Sequence, residues 1–152
     1  MTWKCAAIDH GVTIFPDGKI APCCEINDNY RKPSSELYNT NRFADLKTQT
    51  PPSSCNSCIN KEKNNLLSYR TMFNTHCTSA PGLQFVDIRN TNHCNLKCRY
   101  CGPWASNSWS EELGDPTTLH YSIDQHKDIL ITDDLHWMYF TGGEPLISPG
   151  HN

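Results

Sequence analysis

The chain has 152 residues, 13 Lys and Arg against 16 Asp and Glu, and a formal net charge of −3. That balance lacks the basic footprint of a nucleic-acid binder, and no run approaches the roughly 20 apolar residues that span a bilayer. Nine cysteines and 10 prolines point to a loop-rich fold organised around thiols, long enough for one domain or two small ones.

The opening MTWKCAAIDHG carries one Lys and no apolar run after it, so it does not read as a signal peptide. The expectation is a soluble, cytoplasmic protein with neither a membrane nor a nucleic acid as partner. In that compartment C-x-x-C spacings favour metal or iron–sulfur ligation over disulfides. An odd number of cysteines also sits poorly with a closed disulfide framework. Cys5, Cys23, Cys24, Cys55 and Cys58 form an early group, Cys94, Cys98 and Cys101 a late one, and Cys77 stands alone between them.

In chain order, residues 10–22, HGVTIFPDGKIAP, read as a β-hairpin. Val12, Thr13 and Ile14 make one strand and Lys19, Ile20 and Ala21 the other. The Pro-Asp-Gly between them is turn chemistry, because Pro presets φ and Gly accepts a positive φ. The hairpin brings Cys5 towards Cys23. Residues 26–41 are polar and turn-rich, NRFADLKTQ reads as a short helix, and TPPSSCNSC is a rigid loop leading into Cys55 and Cys58. Residues 59–73 read as a helix weakened by Asn64-Asn65, and NTHCTSAPG as a linker. LQFVDIR, residues 83–89, alternates as a strand with Leu83, Phe85 and Ile88 inward. A cysteine loop follows, then a helix over 104–113, a break at GDPTT, and a helix over 122–132 capped by Ser122 or Asp124. Residues 136–141, HWMYFT, read as a strand that ends in GGEP. The order is one βαβ unit with its binding loops at the C-terminal strand ends, so the fold class is α/β.

The late group, HCNLKCRYCG, is C-x3-C-x2-C. Thiolates suit zinc and iron–sulfur clusters. A zinc site normally needs a fourth ligand, whereas a four-iron cluster on three cysteines leaves one iron open to a small molecule. A zinc knuckle completed by His93 or Cys77 is the alternative; His93 adjoins Cys94, which makes joint ligation awkward. GGEP alone would be an ordinary turn.

C-x3-C-x2-C with Tyr100 before its last cysteine resembles the signature of the radical S-adenosylmethionine enzymes. FTGGEP, at the end of the next predicted strand, resembles the Gly-Gly-Glu motif of the same family. The resemblance implies that Cys94, Cys98 and Cys101 hold a four-iron, four-sulfur cluster. Its open iron would be chelated by S-adenosylmethionine, with Tyr100 near the adenine and Gly142, Gly143 and Glu144 meeting the methionine amino group. The implied reaction is reductive cleavage to a 5′-deoxyadenosyl radical that abstracts hydrogen from a substrate, possible substrates being peptides or proteins. Implied partners are an electron donor such as flavodoxin or ferredoxin. The implied core is a partial (β/α) barrel, of which residues 82–152 would hold the first two strands. Because the chain stops soon after Glu144, the expectation is a truncated product, a fragment, or half of a split enzyme whose second chain supplies the rest, with poor catalysis alone.

Cys5, Cys23, Cys55 and Cys58 form a complete four-thiolate set, which a zinc ribbon or an iron–sulfur cluster would accept. PDGKIAPCC and CNSC resemble elements of the SPASM/Twitch auxiliary-cluster domains. That resemblance implies a second, auxiliary four-iron cluster in residues 1–75, electron-transferring or structural because it is fully ligated. Cys23 is chosen over Cys24 because it directly follows the hairpin strand, and Cys77 is read as a free thiol. Arg70 and Arg89 read as surface ion pairs, Trp104, Trp109 and Trp137 as packing residues, and the dispersed His as non-ligands. Two other function classes stay open: a zinc-stabilised binding module without enzymatic activity, and an iron–sulfur redox carrier.

Overall fold

The computed structural model describes residues 3–48 and 50–148; Met1, Thr2, Gln49 and residues 149–152, the end of the tail, lie outside the described part. The fold is α/β. Its centre is a five-stranded mixed sheet in the order β3-β2-β1-β4-β5. The strands are β1 (Gly11–Ile14), β2 (Lys19–Ala21), β3 (Lys32–Pro33), β4 (Phe85–Ile88) and β5 (Trp137–Phe140).

The hairpin forms where the sequence predicts it. Phe15 N–H donates to Lys19 O at 2.9 Å and Gly18 N–H to Phe15 O at 3.0 Å, with Gly18 at φ +76°. β1 and β2 are antiparallel, as are β2 and β3. β1 then pairs parallel with β4, Gly11 opposite Phe85 and Ile14 opposite Ile88, and β4 pairs parallel with β5. The hairpin of the early stretch and the two strands of the late stretch therefore share one sheet.

Both faces of the centre are covered, as parallel pairing favours. Val12, Ile14, Ile20, Leu83, Val86, Ile88 and Leu130 enter one core, where each large side chain is worth roughly 1.5–3 kcal/mol. Phe85 turns to the opposite face and meets Phe73 edge-on, ring centroids 4.8 Å apart. The expected inward set is thus corrected: Leu83 and Ile88 share a core, Phe85 does not, and Val86 takes its place. Period-two alternation explains it, because Phe85 and Asp87 share a face and Val86 and Ile88 the other.

The helices are shorter than the sequence suggests. Besides α1 (Ala7–His10), the stretch 59–73 gives two elements, α2 (Asn56–Lys63) and α3 (Tyr69–His76). Asn65 at φ 55° breaks them apart. Ser68 restarts the chain as a capping box: its Oγ accepts from Thr71 N at 3.0 Å and Thr71 Oγ1 accepts from Ser68 N at 3.1 Å. NRFADLKTQ yields only a 3-10 turn, Ala44–Leu46. α4 (Asn107–Glu112) follows the cysteine loop. Residues 122–132 shrink to a 3-10 turn and α5 (Lys127–Leu130), and neither Ser122 nor Asp124 caps that helix. Tyr121 and His126 restrict this segment, with Tyr121 Oη 2.8 Å from His126 Nε2 and donating to Ser34 Oγ at 2.6 Å. Among the described residues no helix is long and apolar enough to cross a membrane.

Candidate functional site

The late cysteines lie where β4 ends. Cys94, Cys98 and Cys101 are half-buried, free thiols. The loop is fixed mostly by polar side chains from the start of α4 and the segment before it. Cys94 N–H donates to Asn107 Oδ1 at 2.8 Å, and Ser108 Oγ donates to Cys94 O at 2.7 Å. Ser106 Oγ donates to Leu96 O at 2.7 Å and Trp109 Nε1 to Cys98 O at 3.2 Å. Lys97 pairs with Glu112. Leu96 N–H points at Cys94 Sγ, 3.4 Å away. Burial raises the Cys101 thiol above its usual range, a nearby backbone N–H at Gly102 opposes this, and the Cys94 and Cys98 charges add to it.

Before the loop stands Asn90-Thr91-Asn92, whose role the sequence reading missed. Asn92 is buried. Its Nδ2 donates to Thr117 O at 2.9 Å and Pro103 O at 3.2 Å, and its Oδ1 accepts from Leu119 N at 2.6 Å. One side chain thus joins the two ends of the excursion. The available signal was composition: an Asn/Thr run between a strand and a loop supplies backbone-binding side chains.

The Gly-Gly-Glu turn is bonded directly to this loop. Gly143 N–H donates to Thr91 O at 2.8 Å and Glu144 N–H to His93 O at 2.9 Å. Gly142 has φ +99°. A Cβ on Gly143 would stand 2.0 Å from His93 O, and one on Gly142 would stand 2.8 Å from Thr91 O. Both glycines are needed for backbone to lie on backbone. The Glu144 carboxylate is half-buried and accepts from Leu146 N at 3.2 Å. Tyr100 is 92% exposed, so its ring stands free beside the last cysteine.

The early group closes around a cavity of about 20 Å³ lined by Cys5, Cys23, Cys55, Cys58, Tyr69 and Arg70. Burial pushes the Cys5 thiol up to about 11, against a backbone N–H at Ala7 and with Cys55 and Cys58 adding. Burial likewise lifts Cys55 to about 11, with Cys58 adding, and Cys23 well above its ordinary value. Without a bound cation these thiols hold their protons at neutral pH. Cys24 faces elsewhere. Burial raises it, the Arg89 charge opposes, and Tyr69 hydrogen-bonds it; in turn the Cys24 charge, burial and that bond lift the Tyr69 phenol to about 12. The adjacent pair thus splits, Cys23 into the four-thiol cavity and Cys24 towards Arg89.

Several expectations are corrected. The ion pairs of Arg70 with Glu62 and of Arg89 with Asp87 are half-buried rather than on the surface. Asp87 is nearly covered, bonded by Arg89 Nε at 2.8 Å and by Thr141 Oγ1 at 2.8 Å, which ties β4 to the residue before Gly142. Trp104 is 65% exposed and Trp137 40%, so neither is a core residue, though Trp137 packs edge-on against His76 and His136.

Among the described residues no three or more His, Cys, Asp or Glu side chains converge tightly enough to hold a single metal ion. The donor chemistry of both groups nevertheless suits a thiophilic centre: all nine cysteines are free, and seven gather in two sets. Tetrahedral thiolates on zinc stand about 3.8 Å apart, given Zn–S bonds of ~2.3 Å; a four-iron, four-sulfur body holds its ligands further apart.

The chain is 36% identical over 67 residues to an uncharacterized protein of Methanocaldococcus jannaschii, covering 44% of this chain and 21% of that protein. It is 40% identical over 62 residues to a GTP 3′,8-cyclase of Streptomyces coelicolor, covering 40% of this chain and 17% of that protein. The matched stretches are thus short pieces of much longer proteins. No family model matches the chain, and no solved structure matches it.

Proposed function

We propose that the chain is a radical S-adenosylmethionine enzyme or part of one, with a second thiol-bound centre in residues 1–75 and the radical core beginning in residues 82–152. The observation that carries this reading is the backbone clasp between the Gly-Gly-Glu turn and the cysteine loop, Gly143 N to Thr91 O and Glu144 N to His93 O. It brings two motifs far apart in sequence to one place at the C-terminal ends of parallel strands, where α/β folds bind ligands. The partial similarity to a GTP 3′,8-cyclase, which is a radical S-adenosylmethionine enzyme, supports it.

Cys94, Cys98 and Cys101 are the thiolates for a cluster with one open iron. Bound there with S-adenosylmethionine, that cluster would supply reductive cleavage to a 5′-deoxyadenosyl radical. The residues of the chain bind and orient. Glu144 offers an anionic acceptor for the methionine ammonium, the Gly142-Gly143 backbone, lying on Thr91 and His93, sets that carboxylate beside the cysteine loop, and the exposed Tyr100 ring offers a face to the adenine. Cys5, Cys23, Cys55 and Cys58 hold the auxiliary cluster, a fully ligated centre that carries electrons or stiffens the fold. A low-potential donor of the flavodoxin or ferredoxin kind is the partner this reading requires, and a peptide or protein is the substrate class it favours.

For the early group zinc is a second reading. A cavity of about 20 Å³ has room for one ion-sized body, so a single ion fits once the sulfurs draw together around it, whereas a cluster needs the walls to part.

Anaerobic reconstitution with iron and sulfide tests both. The expected result is about eight irons per chain, two four-iron clusters, falling by half in Cys94→Ala and in Cys23→Ser, with a spectrum that S-adenosylmethionine alters only when Cys94 is present. Half that iron with one zinc per chain selects the zinc reading for the early group. Zinc alone, with no response to S-adenosylmethionine, overturns the enzyme reading in favour of a binding module.

A further inference from the structure

We infer that Asn74 and Arg70 of α3 are the positioning residues of the four-thiol site, fixing Cys5 as its ligand. This rests on reading Cys5, Cys23, Cys55 and Cys58 as one metal-holding set. Of the four, Cys5 has the least structure of its own. Cys58 sits in α2, Cys55 in the 3-10 turn that opens it, and Cys23 just past β2. Residues 3–5 belong to no helix or strand. On its other side Cys5 borders a cleft of about 270 Å³ lined by Trp3, Lys4, Ile8 and Lys47, so that side leaves the segment room to swing away.

Beyond the turn bond from Ile8 N–H to Cys5 O at 3.1 Å, what holds it is one face of α3. Asn74 closes on both peptide units that flank Cys5. Its Nδ2 donates to Lys4 O at 3.1 Å, and its Oδ1 accepts from Ala6 N at 2.7 Å. A primary amide can donate and accept in this way; a carboxylate or an apolar side chain cannot. Arg70, one turn earlier, donates from Nη1 to the same Lys4 O at 3.1 Å. Its Nε donates to Glu62 at 3.0 Å, and its Nη2 completes the pair. Glu62 stands one turn beyond Cys58 on α2. The fork of Arg70 therefore ties the backbone of one ligand to the helix that carries another. The guanidinium also lines the thiol cavity, where a fixed cation offsets the charge that four thiolates bring together. Neither residue touches a metal; each acts through Cys5 and its neighbours. Such supporting partners typically change metal affinity 10- to 100-fold.

The test titrates Co²⁺ anaerobically into the full chain carrying Cys94→Ser, Cys98→Ser and Cys101→Ser, so that the late loop adds no thiolate, and reads the sulfur-to-cobalt charge-transfer band, whose intensity counts bound thiolates, with that chain as the wild-type reference. Cys5→Ser should lose about a quarter of the wild-type band, one thiolate of four. Asn74→Ala and Arg70→Leu should match Cys5→Ser in band shape and intensity and should lose Co²⁺ to a chelator at least tenfold more readily, with Arg70→Lys partly restoring retention. Thr75→Ala is the control on the same helix, since its hydroxyl bonds Thr71 O at 2.8 Å within α3, and should behave as wild type. Should Asn74→Ala fail to fold, Asn74→Asp keeps the acceptor for Ala6 N and loses the donor to Lys4 O, and should fall between. Asn74 variants with the full wild-type band and retention, alongside a diminished Cys23→Ser, overturn the inference and leave the four-thiol reading standing. A wild-type chain without thiolate bands overturns that reading and the inference with it.

Discussion

Cys5, Cys23, Cys55 and Cys58 come from separate places in the chain and meet only because a hairpin, α2 and α3 pack together, whereas Cys94, Cys98 and Cys101 share one loop. Burial raises the thiols of Cys5, Cys23 and Cys55, and Cys58 is buried in α2. The late ones sit half-open at a strand end beside the 92% exposed Tyr100. The first set depends on tertiary packing for its geometry; the second depends on hydrogen bonds to backbone within some 50 residues. A closed, complete donor set suits a centre that exchanges nothing with solvent but electrons. An open, incomplete one suits a centre that must admit a ligand.

The largest effect should come from removing a ligand. Cys23→Ser should abolish metal retention by the early group, while Cys24→Ser should leave it intact; metal analysis after gel filtration decides, and equal losses would mean that the split between the two thiols is not functional. Next is Gly143→Ala, whose methyl meets the His93 carbonyl at 2.0 Å. Backbone cannot yield like a side chain, so a loss of about 3 kcal/mol in denaturant unfolding is expected, with loading of the late loop impaired and loading of the early group retained.

A smaller effect separates the groups by pH. Cys5 and Cys55 titrate near 11 in the folded chain against 9.0 ordinarily. As pH rises from 9 towards 11 the unfolded thiols release protons that the folded ones keep. The metal-free chain therefore binds more protons folded than unfolded and loses stability across that window. Its Tm should fall between pH 9 and 11, and metal loading should flatten the drop because the thiols are then already deprotonated. The smallest effect is Tyr100→Ala, expected within about 0.5 kcal/mol of wild type in stability but weaker in its response to S-adenosylmethionine by equilibrium titration.

Much of this was legible locally. The hairpin, the β4–β5 parallel pair and the meeting of the cysteine loop with the Gly-Gly turn follow from turn residues, alternation and motif order. What was not legible depends on partners distant in sequence. Phe85 and Ile88, three residues apart in one strand, fall on opposite faces by alternation alone; that the Phe85 face is covered as well depends on Phe73 of α3. The break in helix 59–73 is local, at Asn65 with φ 55°, and so is its restart in the Ser68–Thr71 capping box; the packing of α3 on residues 4–6 is the part that needed distant partners. Asn74, inside a stretch that reads as linker, became meaningful only once α3 lay against residues 4–6.

The parallel pairing of β1 with β4 carries a consequence for assembly. The β1–β2 hairpin can close within microseconds, as local turns do, but β1 must wait for β4 across a long intervening loop, whose closure carries an entropic cost. β1 lies between the antiparallel and the parallel halves of the sheet, so a chain cut between α3 and β4 would leave three strands on one piece and two on the other. A two-stranded remnant is marginal in water. The pieces should therefore fold by recombining, each acting as template for the other, and a protease nick there should leave a chain that stays in one piece until denatured.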